Sequence, residues 1–170
     1  MNDVYLLLGS NLGNRAFQIQ QAVLRIEKLV VNIAAISNLY ESAAWGVENQ
    51  QDFYNLIIRV KTLMPANELL VATQAVEQDM GKVKLGQWMQ RSIDIDILYY
   101  NSDIVKEPAL IIPHPHIRDR KFTLLPMAEL APGFVHPILG KTQQELLDQC
   151  EDPLWVRPLG SLKSKTEKSD

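Results

Sequence analysis

Twice in the first hundred residues the apolar pattern passes from strand to helix and back. That order restricts the fold more than any other feature. VYLLL, residues 4–8, is a short apolar run suited to a buried strand. A stripe at helical spacing follows: Phe17, Ile19, Ala22, Val23, Ile26 and Leu29 predict a helix over about residues 15–29. Residues 34–42 read as a second strand, polar residues 46–52 as a loop, and FYNLIIRVKT, residues 53–62, as a third strand. Pro65 opens a second helix whose stripe is Leu69, Ala72, Thr73, Val76 and Met80, with Gly81 at its end. A loop containing Lys, Gly and Trp leads to a fourth strand at residues 92–100. Strand, helix, strand, strand, helix, strand is the ferredoxin-like βαββαβ order. Its fold class is α+β, an antiparallel sheet with both helices on one face. The other face needs a cover or is a site, and a C-terminal extension, residues 101–158, is available for part of that cover. Within it, Pro126 predicts the start of a short helix ending at Leu130, and Thr142 with Glu145 forms a capping box for another.

The 170 residues suggest one domain, residues 1–160, followed by a polar tail at 161–170 that is expected to be disordered. Hydrophobic content of 46% and charged content of 22% are those of an ordinary globular chain. No apolar run approaches the ~20 residues of a membrane span. The start MNDVYLLLGSN lacks the basic region and cleavage site of a signal peptide. The lone Cys150 excludes an internal disulfide and fits a reducing compartment, so a cytoplasmic location is expected. Three Lys against one Glu and one Asp leave the tail at +1. With a net charge of −3, the rest of the chain carries −4. That balance argues against general binding to nucleic acid. No spare apolar stripe is evident, so a monomer is expected.

RSIDIDILYY, residues 91–100, holds the candidate chemistry. Side chains alternate across a strand, so Asp94 and Asp96 share one face and Ile93, Ile95 and Ile97 the other. Two carboxylates about 6–7 Å apart on one face repel each other, and Asp is disfavoured in strands. A wet edge strand is one reading. A divalent cation, which removes the repulsion, is the other. Mg²⁺ favours one or two carboxylates plus substrate phosphates. Lys82, Lys84, Trp88 and Arg91 stand just before the strand. Cations beside a metal pair suit a polyphosphate, although a solvated charged loop would have the same composition. GSNLGNR is neither a Walker A loop nor G-x-G-x-x-G, and reads as a helix cap after a strand. On the third strand, Phe53 and Asn55 share a face that turns polar at Arg59 and Lys61. Phe53 is either a rim core residue or an aromatic platform, with Asn55 reading a flat heterocycle. His114 and His116 in IPHPHIRDRKF offer a zinc pair or a stiff loop presenting one His as a donor; a plain surface loop is equally compatible.

Taken together, LLLGSNLGNR, FYNLIIRV, EQDMGKVK, RSIDIDIL and PHPHIRDRKFTLLPMAELAP make the chain resemble the 6-hydroxymethyl-7,8-dihydropterin pyrophosphokinases of folate biosynthesis, over about residues 4–158. The resemblance implies an enzyme that moves the β,γ-pyrophosphoryl group of ATP to the hydroxymethyl oxygen of the pterin and releases AMP. It implies two Mg²⁺ ions held by Asp94 and Asp96, with Arg91 as a further catalytic residue. Ser42, Ala43, Trp45, Phe53, Asn55, Asp94 and Phe122 fall on its pterin positions. Gln74, Glu77, Lys82, Lys84, Trp88, Arg91, Ile97, His114 and Arg120 fall on its ATP positions. The chain departs from better-known members where Lys82 and Lys84 replace frequent Arg, which removes the bidentate fork. Larger members are fused to an aldolase or synthase, so a stand-alone kinase is expected. Two other readings compete: a zinc-dependent hydrolase built on His114, His116 and the Asp pair, and a non-catalytic ferredoxin-like ligand-binding module.

Overall fold

The structure, a computed structural model, describes residues 1–44, 51–81 and 92–163. Strand β1 (Asn2–Ser10) runs through the middle, antiparallel to β4 (Phe53–Thr62) on one side and β5 (Asp94–Tyr100) on the other. β2 (Asn32–Ile36) and β3 (Leu39–Ser42) both pair with β4, and β8 (Val156–Gly160) closes the edge beyond β3. The sheet order is β5-β1-β4-β3-β8. Helices α1 (Arg15–Glu27) and α2 (Ala66–Asp79) complete the ferredoxin-like βαββαβ frame.

The alternation of β1 builds two cores. Val4, Leu6 and Leu8 join Leu56, Ile58, Val60, Ile95 and Ile97 beneath α1 and α2. Tyr5 and Leu7 join Ile57, Leu98 and Tyr99 on the other face. That face is covered by α3 (Lys121–Leu130), through Leu124 and Met127, and by α4 (Gln143–Asp148), through Leu146. Polar Arg59 and Lys61 lie farther along β4 and pair with Asp3. The opposite end of the same face, around Gly9 and Asn55, carries the candidate site.

Five features differ from the sequence expectations. The second strand is two strands: four steps from Ile36 to Tyr40 oppose three from Ile58 to Asn55, a bulge. Ser37 Oγ fills it, accepting from the Ile57 amide at 2.9 Å and donating to the Asn38 carbonyl at 2.8 Å. In α1, Phe17 is 49% exposed and Ala16 takes the buried place beside Ile19. α3 starts five residues before Pro126, because the Asp152 carboxylate accepts the Lys121 amide at 3.1 Å. A ribbon of β6 (Val105–Glu107) and β7 (Leu110–Ile112), together with β8, adds strands within the extension. The expected tail begins too early, since Leu162 packs into the core under α1 and α2.

Candidate active site

The strand register brings the expected carboxylate and amide side chains onto one patch. Gly9 lies opposite Asp94 on β5 and opposite Asn55 on β4, so Asp94, Gly9 and Asn55 form one cross-strand row on one face. Leu7 and Asp96 pair one step inward on that face. Phe53 pairs with Ser42 at the outer end. Asn55 is buried, and its Nδ2 donates to Ser42 Oγ at 2.9 Å. That bond fixes the amide with Oδ1 beside Gly9. A Cβ added at Gly9 would sit 2.8 Å from Asn55 Oδ1 and 3.8 Å from a Phe53 ring carbon. The missing side chain therefore leaves a notch bordered by Asn55 Oδ1 and, 3.8 Å away, the Tyr54 carbonyl, with the Phe53 ring beside it. A flat heterocycle with donors on its edge suits this shape.

The segment leading into α3 brings a cation within reach of the two aspartates. Phe122, in its first turn, is half-buried, and the Arg120 guanidinium lies 5.6 Å from its ring. Burial draws the Arg120 proton affinity down, against the attraction of Asp96, Asp119, Asp152 and Asp94. Arg120 stays a cation even so and faces both carboxylates of β5. His114 is anchored by its amide, which donates to the Leu98 carbonyl at 3.0 Å. Its Nδ1 accepts the His116 amide at 3.2 Å, which places the ring proton on Nε2. Burial, then the charges of Arg120 and His116, lower the His114 pKa to about 4. At neutral pH it is an uncharged donor, apt for a phosphate oxygen.

The nucleotide expectations divide. Glu77 is buried and its Oε1 accepts the Ile95 amide at 2.8 Å, so α2 is tied to the outer edge of β5. Gln74, three residues earlier, is exposed on the same helical face. The Ile97 side chain lies in the core under α1 and α2, on the face opposite the two aspartates; only its backbone is left for a ligand. Ala43 is half-buried, and its amide donates to the Trp155 carbonyl at 3.3 Å. Trp45, Lys82, Lys84, Trp88 and Arg91 lie outside the described residues.

Two half-buried carboxylates on one strand face are hard oxygen donors, which suits Mg²⁺ completed by phosphate and water. Among the described residues, no group of three or more His, Cys, Asp or Glu is placed to hold a metal.

Residues 5–132 match the family model described as 7,8-dihydro-6-hydroxymethylpterin-pyrophosphokinase. The chain belongs to this pyrophosphokinase family. The 2-amino-4-hydroxy-6-hydroxymethyldihydropteridine pyrophosphokinase of Aquifex aeolicus is 40% identical over 145 residues, covering 85% of this chain and 90% of that protein. The Haemophilus influenzae protein of the same name is 33% identical, with 92% and 98% covered. The folic acid synthesis protein FOL1 of Dictyostelium discoideum is 41% identical over 85% of this chain, which spans only 22% of that protein. In structure, the chain superposes on Plasmodium falciparum HPPK-DHPS with a TM-score of 0.72 at 19% identity, covering 87% of this chain and 43% of that one. That likeness confirms the fold. Neither the zinc hydrolase nor the passive binding module finds a counterpart in these matches.

The sequence left the Gly9 notch unread. GSN also spells a turn, and only the register shows Gly9 inside β1, between Asp94 and Asn55. Asp152, which caps α3 from a distant segment, also carried no local signal.

Proposed function

We propose that the chain transfers the β,γ-pyrophosphoryl group of ATP to the hydroxymethyl oxygen of 6-hydroxymethyl-7,8-dihydropterin, with Mg²⁺ required. The new bond joins that oxygen to the β-phosphorus. The bond from the β-phosphorus to the oxygen shared with the α-phosphorus breaks, and AMP leaves with that oxygen. The hydroxyl proton goes to solvent. The observation that carries this reading is the Asp94–Gly9–Asn55 row with Phe53 beside it.

Asn55 and Ser42 read the pterin edge, and Phe53 and Phe122 enclose its faces. Asp94 and Asp96 hold two Mg²⁺ ions, which when bound neutralise the triphosphate and favour in-line alignment. Arg120 and neutral His114 donate to phosphate oxygens beside them; Arg91, Lys82 and Lys84 supply further positive charge. Gln74, Glu77 and the Ile97 backbone, along the outer edge of β5, receive the nucleoside, and Trp88 joins them. Because displacement at phosphorus needs alignment and charge compensation more than covalent help, this set suffices without a nucleophilic side chain.

Product analysis tests the reading. With ATP, Mg²⁺ and the pterin, AMP formation that depends on the pterin is expected. ADP would mean ordinary phosphoryl transfer. No turnover in the presence of Mg²⁺ would overturn the proposal.

A further inference from the structure

We propose that Arg15 is a positioning residue for the pterin pocket, holding together the two strand ends that carry Ser42 and Phe53. The inference rests on the pterin reading above. Arg15 is the first residue of α1, after the Asn14 cap whose Oδ1 accepts the Phe17 amide at 3.1 Å. A cation there opposes the helix dipole, and the first turn of α1 contains no acidic residue. The location therefore asks for a compensating reason, and the side chain supplies one.

Its guanidinium meets three groups, one on β3, one on β4 and one just before β4. NH1 donates to the Asp52 carbonyl at 2.6 Å. The same nitrogen lies 3.5 Å from Glu41 Oε2. The guanidinium carbon sits 3.9 Å from the centre of the Tyr54 ring. Glu41 directly precedes Ser42 at the end of β3, and Asp52 directly precedes Phe53 at the start of β4. Glu41 and Tyr54 are cross-strand partners, and Ser42 and Phe53 are the next pair. One half-buried guanidinium thus clamps the ends of both strands one residue away from two pocket residues. It does so from the helix face, without reaching the ligand side itself.

Glu41 has a second cationic neighbour that allows the clamp to be dissected. Arg157 on β8 donates to Glu41 Oε1 through Nε at 3.0 Å and through NH2. Arg157 binds Glu41, whereas Arg15 binds the Asp52 carbonyl as well. Loss of Arg157 weakens the β3–β8 edge, whereas loss of Arg15 also releases the Asp52 carbonyl and with it Phe53.

The test measures pterin binding, nucleotide binding and kinetics for the wild type, Arg15→Met, Arg15→Lys and Arg157→Met. Wild-type protein that neither binds nor pyrophosphorylates the pterin would sink the functional reading itself. Given wild-type turnover, Arg15→Met is expected to raise the pterin Kd and KM about tenfold, equal to about 1.4 kcal/mol. Binding of a non-hydrolysable ATP analogue without pterin should stay within about twofold, as should kcat at saturating pterin. Arg15→Lys keeps the charge but not the fork, so it should fall between wild type and Arg15→Met, and it supplies the answer if Arg15→Met does not fold. Arg157→Met should leave the pterin Kd within about twofold even where its melting temperature falls. Equal pterin defects in Arg157→Met and Arg15→Met, or unchanged pterin affinity in both Arg15 variants, would overturn the proposal.

Discussion

Gly9 has no side chain, and the shape of the site depends on that absence. Its φ is not in the left-handed region, so alanine is acceptable to the backbone; the obstacle is Asn55 Oδ1 at 2.8 Å. Asn55 is buried and held by Ser42, so it cannot turn away without losing that bond. Gly9→Ala is therefore expected to raise the pterin KM by about tenfold, since 1–3 kcal/mol follows from disturbing one buried hydrogen-bonded group. The KM for ATP should be little changed. Steady-state kinetics with each substrate varied would check this, and equal effects on both substrates would contradict it. His114 gives a pH signature. Its folded-state pKa of about 4 lies below the ordinary value of 6.5. Between those two values the unfolded chain takes up a proton that the folded chain refuses. Stability at this site is thus complete above pH 6.5 and is lost as pH falls towards 4, by at most about 1.4 kcal/mol per pH unit. His114→Gln should lose less stability than wild type between pH 7 and pH 4.5 in urea melts; parallel losses would show the ring titrates normally. At this scale the sequence was informative where alternation alone decides the outcome. Asp94 shares a face with Asp96, and Phe53 with Asn55, because their spacing demands it. Gly9 was hidden because its meaning comes from the residues on either side of it in the sheet, not along the chain.

Elements whose start signals are local were readable, and those held from a distance were not. Asn14 caps α1, and Thr142 Oγ1 accepts the Glu145 amide at 3.1 Å to cap α4. Both caps sit beside the helix they start. α3 is different: Asp152 secures its beginning and Glu129 its end. Glu129 accepts from the Asn38 amide at 2.7 Å, from Asn38 Nδ2 at 2.9 Å and from the Tyr40 hydroxyl at 2.8 Å. Its charge and the burial of the ring push the Tyr40 hydroxyl pKa up. The two ends of α3 serve different purposes. The Asp152 end holds the turn that carries Phe122 and borders Arg120, whereas the Glu129 end ties the helix to the β2–β3 bulge and to Tyr40. Glu129→Ala and Asp152→Ala should each cost about 1–2 kcal/mol of stability in denaturant melts. Only Asp152→Ala should also lower kcat/KM, by about tenfold or more, because a first-turn shift moves groups that must align with the reacting atoms. Equal kinetic effects in the two variants would mean that α3 moves as a rigid whole. The split of the second strand escaped the sequence for a related reason. Ser37 looks like any polar strand residue until the Ile57 amide is seen bonding to its hydroxyl.

Across the molecule, one sheet serves two cores, and that bears on how it unfolds. Residues 4 to 8 of β1 give alternate side chains to the α1–α2 core and to the α3–α4 core, and β4 and β5 do the same. Neither core has a strand of its own among β1, β4 and β5. The second core is also stitched by Tyr99, whose hydroxyl accepts Gln143 Nε2 at 2.9 Å and whose ring lies 4.7 Å from that of Phe134. The frame from residues 4 to 100 was visible from its periods, yet the second face of its sheet is covered by residues 117–150, whose packing has no local period to reveal it. If β1 must be released before either core can open, the two cannot melt separately. Near-ultraviolet circular dichroism senses the aromatic cluster of Tyr5, Tyr99 and Phe134 in the second core, together with Tyr54 and Tyr100 in the first. Far-ultraviolet dichroism is weighted to α1 and α2, the longest helices described, in the first. The two signals should therefore share one midpoint and one slope in urea. A near-ultraviolet transition at clearly lower urea would instead mean that the α3–α4 layer peels away first. Arg120 and Phe122 would then leave the site while Asp94, Gly9 and Asn55 stayed in register, and pterin binding would be lost with the first transition.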